Sequence, residues 1–228
     1  MPRPFRAAFA AAAAVTVAAA ATGRERWQWV AKPLMMPLLA ADAIHSGGAL
    51  SRTERRVLLG SLAAATVGDV LLIDPDDDRR LVAGASAFAV MQTGYSALWW
   101  RRGARPRPET AVPRVLAWLG AGALLRARAP QLAVPLTAYG ATLGTAATLA
   151  SDPALAPGAK TVAGTVIPDG DPRSRLALGA LLFTLSDGLI VLRRLFARTT
   201  RSRRNTEAVI LATYAGAQYL LTAPTRFD

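Results

Sequence analysis

The feature that most constrains this chain is the length of its apolar blocks. Apolar residues come in runs of about 16 to 22, long enough at 1.5 Å per helical residue to match the ~30 Å hydrocarbon core of a bilayer. Short clusters rich in Arg, Asp, Pro and Gly separate these runs. A soluble domain of 228 residues would instead alternate apolar and polar positions. The sequence therefore predicts an all-α, polytopic transmembrane helix bundle.

We predict about eight membrane spans in a single integral membrane domain covering residues 1–228. The connections are short, and only 151–173 is long enough to hold structure of its own. The fifth span is the weakest, because Arg114 and Arg126 shorten its apolar stretch. The predicted spans are roughly 5–22, 27–45, 56–73, 80–99, 112–126, 130–150, 174–196 and 207–223.

The first span has two readings. Arg3, Arg6, the Ala-rich stretch and an Ala-x-Ala pattern near its end are typical of a cleaved signal peptide. Nothing downstream resembles a secreted domain, and Ala-rich helices pack closely in membranes, so we favour a retained span. The positive-inside rule favours a cytoplasmic N-terminus, which puts the acidic 74–80 loop outside. The six Arg residues of 193–204 disagree with that orientation.

Composition limits the function classes. The net charge of +12 comes from Arg residues lying between apolar blocks, as expected for charges that flank spans. No nucleic-acid module is recognisable, so we expect no nucleic acid partner, and no obligate protein partner is evident. The chain has no Cys and a single histidine, His45, which excludes a Cys-based or His-cluster metal site. The strong bias of Arg over Lys indicates a GC-rich bacterial genome, and hence the bacterial inner membrane.

Several polar and aromatic residues are predicted to lie at the ends of spans, where solvated positions cost little. Asp42 and His45 are near such an end, and the run Asp76–Asp78 is expected to be a solvated loop because it lacks metal-ligand spacing. Four tryptophans are expected to anchor the bundle in the headgroup region. These are Trp27, Trp29, Trp99 and Trp100.

Ionisable residues inside the spans are the strongest functional signal. Asp69 interrupts the apolar run VGDVLLI, and Ser186 and Asp187 interrupt LLFTLSDGLIVL. A charged side chain at mid-membrane costs a few kcal/mol, so it must face a cavity or a partner. The polar residues within predicted spans are Lys32, Asp69, Gln92, Tyr95, Tyr139, Asp187, Tyr214 and Gln218.

Their spacing indicates shared helix faces. The i, i+4, i+7 and i, i+4 intervals align Phe88 with Gln92 and Tyr95, and Tyr214 with Gln218. Gly179, Phe183 and Asp187 likewise share a face, with Gly179 allowing close helix contact. The simplest arrangement turns all these stripes towards one internal cavity, with Lys32 as counter-charge to one or both aspartates.

A structural reading competes with the functional one. A lone Tyr or Gln in a span more often serves as an interhelical hydrogen bond, worth ~1 kcal/mol. For two aspartates and a lysine the balance reverses, because Ser or Thr supply the same bonds at lower insertion cost.

The order of these polar positions on successive spans resembles the YhhN family of integral membrane proteins, which includes the lysoplasmalogenases. The resemblance covers roughly residues 27–220. One position departs from it: Gln92 stands where histidine is expected in many members, which puts any proton-transfer role there in doubt. The matching segments are Lys32-Pro33-Leu34, Gly68-Asp69, Phe88…Gln92..Tyr95, Gly179-Ala180…Phe183..Ser186-Asp187 with Phe196, and Tyr214…Gln218.

The resemblance implies hydrolysis of the vinyl ether bond of lysoplasmalogens, releasing a fatty aldehyde and a glycerophospho-alcohol, with no metal or organic cofactor. Two carboxyls suit this chemistry, because protonation of carbon gives an oxocarbenium ion that water then captures. Asp69 and Asp187 are thus the expected acid/base pair, their roles unassigned. Supporting or substrate-binding roles are expected for Lys32, Gln92, Tyr95, Tyr139, Ser186, Tyr214 and Gln218.

The expected partners are a lysophospholipid substrate and membrane lipids. A proton-coupled transporter or a lipid-binding membrane protein using the same polar cavity is the alternative, since paired Asp and Lys within spans are equally typical of such proteins.

Overall fold

The computed structural model describes residues 4–45, 50–74 and 76–223. Eight long α-helices make up most of this part of the chain, which confirms the predicted all-α bundle. They are α1 (Pro4–Thr22), α2 (Glu25–His45), α3 (Arg52–Leu71), α4 (Asp78–Arg101), α5 (Pro108–Arg128), α6 (Pro130–Ala150), α7 (Arg175–Phe196) and α8 (Thr200–Leu221).

Four helical segments in the described part are long and apolar enough to cross a membrane by length and composition. The described part of the chain has eight long helices, but only four helical segments meet the length and hydropathy expected of a span, so the count of eight spans stays a prediction. The four segments are Pro4–Thr22, Asp78–Arg101, Pro130–Ala150 and Pro172–Phe196.

The helices form a closed ring of seven, with α5 outside it. In this ring α1 packs on α2, α2 on α3, α3 on α4, α4 on α6, α6 on α7, α7 on α8, and α8 returns to α1. The main contact of α5 is with α6. Only two residues of α5, Thr110 and Leu125, are buried. Helix α5 is therefore a loosely packed outer element.

Short connections make consecutive helices antiparallel, so the bundle has two ends. We call the end that carries residues 72–78 and 193–204 the acidic-loop end, because that loop contains four aspartates. The opposite end, where α1 begins and α8 ends, is called the amino-terminal end. The polar residues of the site lie nearer to the acidic-loop end.

Glycines allow close helix contact at two places beside the site. A Cβ on Gly68 of α3 would lie 2.7 Å from the ring of Phe88 on α4, which is closer than real Cβ atoms approach. A Cβ on Gly179 would lie 3.0 Å from Leu220 and Leu221 of α8. The expectation that Gly179 permits close packing is thus confirmed.

Residues 151–173 hold structure of their own, as predicted. They contain a short 3₁₀ helix, Pro153–Leu155, and a two-stranded antiparallel hairpin of β1 (Thr161–Val162) and β2 (Thr165–Val166). The buried Asp152 accepts hydrogen bonds from the Arg105 backbone at 2.6 Å and from Arg107 at 2.9 Å. Burial alone would raise the pKa of Asp152, but a hydrogen bond from the Ala154 backbone, together with those from Arg105 and Arg107, outweighs it and lowers that pKa.

At the amino-terminal end the structure corrects the expectation for Asp42. This residue is 3% exposed, and its carboxylate forms an ion pair with the Arg6 guanidinium at 2.8 Å. Arg6 also donates to the carbonyls of Tyr219 and Thr222 at 2.8 and 2.7 Å. One buried ion pair thus joins α1 to α2 and α8, and Asp42 is not a solvated span-end residue.

The predicted tryptophan anchors divide into two groups. Trp27, Trp29 and Trp100 are each 48% exposed, as an anchor in the headgroup region should be. Trp99 is buried, and its ring lies 5.6 Å from the ring of Tyr95. Trp99 is therefore a core residue, because the period of α4 turns it inward while its neighbour faces out.

Candidate functional site

Asp69 lies in the last turn of α3, close to the acidic-loop end, rather than at the middle of a span. The helix ends only two residues later, at Leu71, yet Asp69 is 1% exposed. Its Oδ2 accepts a hydrogen bond from the Tyr214 hydroxyl of α8 at 3.0 Å. The carboxylate is thus enclosed by the bundle although its helix stops nearby.

Lys32 of α2 shares the surroundings of Asp69 without a direct ion pair. Its Nζ donates to the Leu72 carbonyl at 2.9 Å, and that carbonyl follows the end of α3. Lys32 interacts with Asp69 through space. None of the ion pairs found in the described residues joins Lys32 to an aspartate, so its role as counter-charge to one or both aspartates stays a prediction that needs an interaction longer than a direct ion pair.

A chain of buried side chains fixes the Tyr214 hydroxyl. Tyr95 donates to Oε1 of Gln218 at 2.8 Å. The amide nitrogen of Gln218 lies 3.4 Å from the Tyr214 hydroxyl and 3.1 Å from the sulfur of Met91. The two predicted stripes on α4 and α8 therefore meet each other, and they form a supporting layer behind Asp69.

Asp187 has a different environment. It is half-buried on α7 and accepts a hydrogen bond from the Tyr139 hydroxyl of α6. Gln92 lies beside Tyr139 and is 2% exposed, and its Nε2 has no hydrogen-bond partner of standard geometry in the described residues. The two aspartates therefore each have a tyrosine partner, and only Asp69 has a nearby lysine.

Three aromatic rings pack together beside the two aspartates. Phe88, Phe183 and Tyr214 meet edge to face, with ring centroids 5.6 to 6.2 Å apart. Such packing holds the rings rigidly and keeps the centre of the bundle largely apolar.

A small polar cavity of about 30 Å³ opens beside these rings, and we call it the polar chamber. Its volume is that of one water molecule. The charged and hydroxyl-bearing residues that line it are Lys32, Asp69, Ser186, Asp187, Arg193, Glu207 and Tyr214.

A larger, mostly apolar cavity of about 290 Å³ lies between α4, α5, α6 and α7, and we call it the chain groove. Asp187 and Tyr139 form part of its wall. A further cavity of about 370 Å³ between α5 and α6 shares Trp118, Gly140 and Gly144 with it. Asp187 lines both the polar chamber and the chain groove, whereas Asp69 lines the chamber alone.

The predicted residues therefore do not all face one cavity. Ser186 lines the chamber, but its hydroxyl donates to the Ile210 carbonyl at 3.0 Å, which is an interhelical bond. None of the cavities described is lined by Gln92, Tyr95 or Gln218. These three residues lie behind the residues that do line them. The expectation of a single shared cavity is therefore correct for Lys32, Asp69, Asp187 and Tyr214, which all line the polar chamber. It is wrong for Gln92, Tyr95, Tyr139 and Gln218, of which Tyr139 lines the chain groove instead.

Sequence reasoning missed Arg193 and Glu207, which line the polar chamber. Both lie near helix ends at the acidic-loop end, where charged residues are ordinarily solvated. One sequence signal could have identified Arg193: the helical pattern of α7 continues past its apolar run. Arg193, six positions after Asp187, therefore still packs against the bundle.

The loop at this end is solvated, as expected, since the side chains of Asp76 and Asp78 are 43% and 40% exposed, but its aspartates also pair with arginines. Asp76 pairs with Arg193 and Arg203, each at 2.9 Å, and Arg194 hydrogen-bonds Asp78. Partial burial would raise the pKa of Asp76, but its arginine partners outweigh this and lower that pKa.

Comparison with known proteins gives one match. A sequence model described as the YhhN family matches residues 27–225, which excludes α1. No curated protein and no solved structure matches the chain.

Proposed function

The chain belongs to the YhhN family, and from this premise and the two cavities that meet at Asp187 we propose that it is a membrane-embedded hydrolase. Its substrates are lysophospholipids of the lysoplasmalogen type, and it cleaves their vinyl ether bond. The products are a fatty aldehyde and a glycerophospho-alcohol. Asp69 and Asp187 supply the acid/base chemistry.

The observation that carries this proposal is the position of Asp187 between the chain groove and the polar chamber. The groove is mostly apolar and the chamber is polar, and a vinyl ether lipid is divided in the same way. It has an aliphatic chain on one side of the reacting bond and polar glycerol on the other. If the chain lies in the groove, the reacting carbons reach the boundary where Asp187 lies. A site open to lipid also suits an amphiphile, since its chain need not enter water.

In this proposal Asp187 is the proton donor. Its carboxylic acid protonates the chain-side carbon of the double bond, and the resulting cation is shared by the other vinyl carbon and the ether oxygen. Tyr139, hydrogen-bonded to Asp187, orients the carboxyl. Asp187 borders the chain groove, whereas Asp69 lines the polar chamber alone, which supports giving the donor role to Asp187.

Asp69 is the base of the second step. Its carboxylate takes a proton from a water molecule as the water oxygen attacks the cation, which forms a hemiacetal. Asp187, now ionised, removes the hydroxyl proton of the hemiacetal as the carbon–oxygen bond to glycerol breaks. Asp69 returns its proton to the leaving glycerol oxygen, so both carboxyls end as they began.

The test is aldehyde release from a lysoplasmalogen by purified protein in detergent micelles. Asp69→Asn and Asp187→Asn should each reduce turnover by at least about 10²-fold, the usual range for a lost acid or base. Asp74→Asn is the matched control, because Asp74 is in the exposed loop and its carboxylate is 56% exposed. Full activity in either site variant removes that residue from the mechanism.

The micelle assay also separates hydrolysis from the alternative class. A transporter needs two compartments, whereas a hydrolase turns over in a micelle. Binding of the lipid by the wild type without aldehyde release would contradict the hydrolase and favour a lipid-binding protein.

A further inference from the structure

Arg193 is a charged group in the polar chamber to which the proposed reaction gives no role. Its side chain is 10% exposed, and it lies on α7 near the acidic-loop end. We propose that Arg193 binds the phosphate of the lysophospholipid whose chain lies in the chain groove. This inference rests on the proposed function, because it takes the same lipid in the same two cavities.

The hydrogen bonding of Arg193 supports this role. Its NH1 donates to Asp76 at 2.9 Å, and its buried Nε has no hydrogen bond of standard geometry. That Nε lies 3.3 Å from Glu207, close enough for charge attraction. A planar guanidinium carries five N–H donors, and it binds the oxygens of carboxylate and phosphate groups in pairs. Arg193 therefore has donors to offer an anion.

The spacing between Arg193 and Asp187 fits the substrate. Six residues on one helix correspond to about 9 Å along its axis. Arg193 and Asp187 both line the polar chamber, so the two side chains border the same space. Glycerol separates the ether oxygen from the phosphate by a few bonds of ~1.5 Å each. A vinyl ether bond at Asp187 thus puts its phosphate within reach of Arg193.

Asp76 is the carboxylate that competes with the phosphate. It is on the surface loop, and its side chain is 43% exposed. While Asp76 is bound to Arg193, the polar chamber of about 30 Å³ is too small to hold a phosphate group beside the guanidinium. The phosphate consequently takes the position of the Asp76 carboxylate on the guanidinium, and Asp76 keeps its partners Arg194 and Arg203.

The experiment measures binding, which does not depend on turnover. The two probes are an alkyl ether lysophospholipid, which has no vinyl bond to hydrolyse, and the matching alkylglycerol without phosphate. Arg193→Gln should reduce the preference for the phosphorylated probe about tenfold or more, and Arg193→Lys should reduce it less. Arg194→Gln is the matched control, because it removes one arginine of the same cluster that does not line the chamber, and it should keep the preference.

A second variant separates phosphate binding from a structural role. Asp76→Asn breaks the same ion pair but leaves the guanidinium, so the phosphorylated probe should bind at least as tightly as to the wild type. Equal weakening in Arg193→Gln and Asp76→Asn would assign the effect to the ion pair and overturn the inference. Aldehyde release with no phosphate preference in the wild type overturns this inference alone, whereas phosphate-dependent binding without aldehyde release overturns only the hydrolase.

Discussion

At the scale of single residues, the two aspartates of similar sequence context differ in their surroundings. Asp69 is sealed in the polar chamber near Lys32, and Asp187 borders the groove between helices. Each is held by a tyrosine hydroxyl from another helix. Environment of this kind, more than residue type, assigns acid and base roles to a pair of carboxyls.

Tyr139→Phe tests the orientation of Asp187. We expect kcat to fall about tenfold or more with little change in KM, because the hydroxyl holds the carboxyl that touches the reacting carbons. Steady-state aldehyde release measures this. Tyr219→Phe is the matched control, since its ring packs against Arg6 at the amino-terminal end. An unchanged kcat in Tyr139→Phe would show that the hydroxyl has no part in the step.

At the scale of elements, α5 has the weakest attachment to the bundle and forms one wall of the chain groove. Its neighbour α6 has Gly144, where a Cβ would meet nothing within 4 Å, whereas a Cβ on Gly140 would lie 3.0 Å from the Trp118 ring of α5. A membrane helix pair with this little burial leaves a lipid-accessible opening along its length. The groove is therefore a property of how α5 packs, and not of any one residue.

Gly144→Leu should narrow the groove without disturbing the fold. A Cβ at Gly144 meets nothing within 4 Å, so the larger side chain has space to enter. We expect KM to rise about tenfold for long-chain substrates and much less for short-chain ones, because several methylenes worth ~0.8 kcal/mol each lose their contacts. Gly60→Leu is the matched control, being exposed on α3 with nothing within 4 Å. Equal changes for both chain lengths would contradict chain binding there.

The start of α3 offers a test of stability against pH. Glu54 lies before the predicted span, completes a capping box with Ser51, and forms an ion pair with Arg102 of α4 at 2.9 Å. Partial burial would raise its pKa, but hydrogen bonds from Arg102 and Ser51 outweigh this and lower the pKa to about 2.

Because that folded-state pKa is lowered, the stabilisation is present above the ordinary value of 4.5 and is lost as pH falls through about 2. Glu54→Gln should reduce the free energy of unfolding by about 1 kcal/mol near neutral pH. The difference from the wild type should disappear over that acid range. Thermal unfolding in detergent measures it, and a pH-independent difference would exclude the ion pair as its cause.

At the scale of the whole molecule, ion pairs at both ends close the ring of seven helices. The acidic loop neutralises part of the Arg-rich 193–204 segment, because Asp76 and Asp78 pair with three of its arginines. Both segments therefore lie at one end, and the six arginines of 193–204 still disagree with the predicted cytoplasmic N-terminus, because the positive-inside rule counts Arg and Lys rather than net charge. The cytoplasmic N-terminus and the bacterial inner membrane stay predictions.

The Arg6–Asp42 pair joins α1, which precedes the family match, to the rest of the bundle. Arg6→Ala or Asp42→Ala should lower the free energy of unfolding by about 3–5 kcal/mol, because either change removes one partner of a buried ion pair. Thermal unfolding in detergent measures this. The double variant Arg6→Met/Asp42→Leu should lose less than the sum of the single changes. Single variants as stable as the wild type would show that α1 is not held by this pair.

The sequence by itself determined the class of fold and most of the polar residues of the site. The length of the apolar blocks predicts the helices, because a helix needs ~20 consecutive apolar residues to span a bilayer. Insertion cost identifies Asp69 and Asp187, since neither is expected in an apolar run without a partner. Helical period correctly aligned Gln92 with Tyr95, because that period depends only on local geometry.

Only the tertiary structure decided which of these residues meet. The period of a helix says which residues share a face, but the neighbour of that face depends on how the ring closes. Tyr95 and Gln218 thus bond each other behind the site, and Arg193 enters it from a helix end where sequence indicates solvent. The division into a polar chamber and a chain groove that meet at Asp187 likewise depends on the loose packing of α5, because cavities form where helices fail to touch.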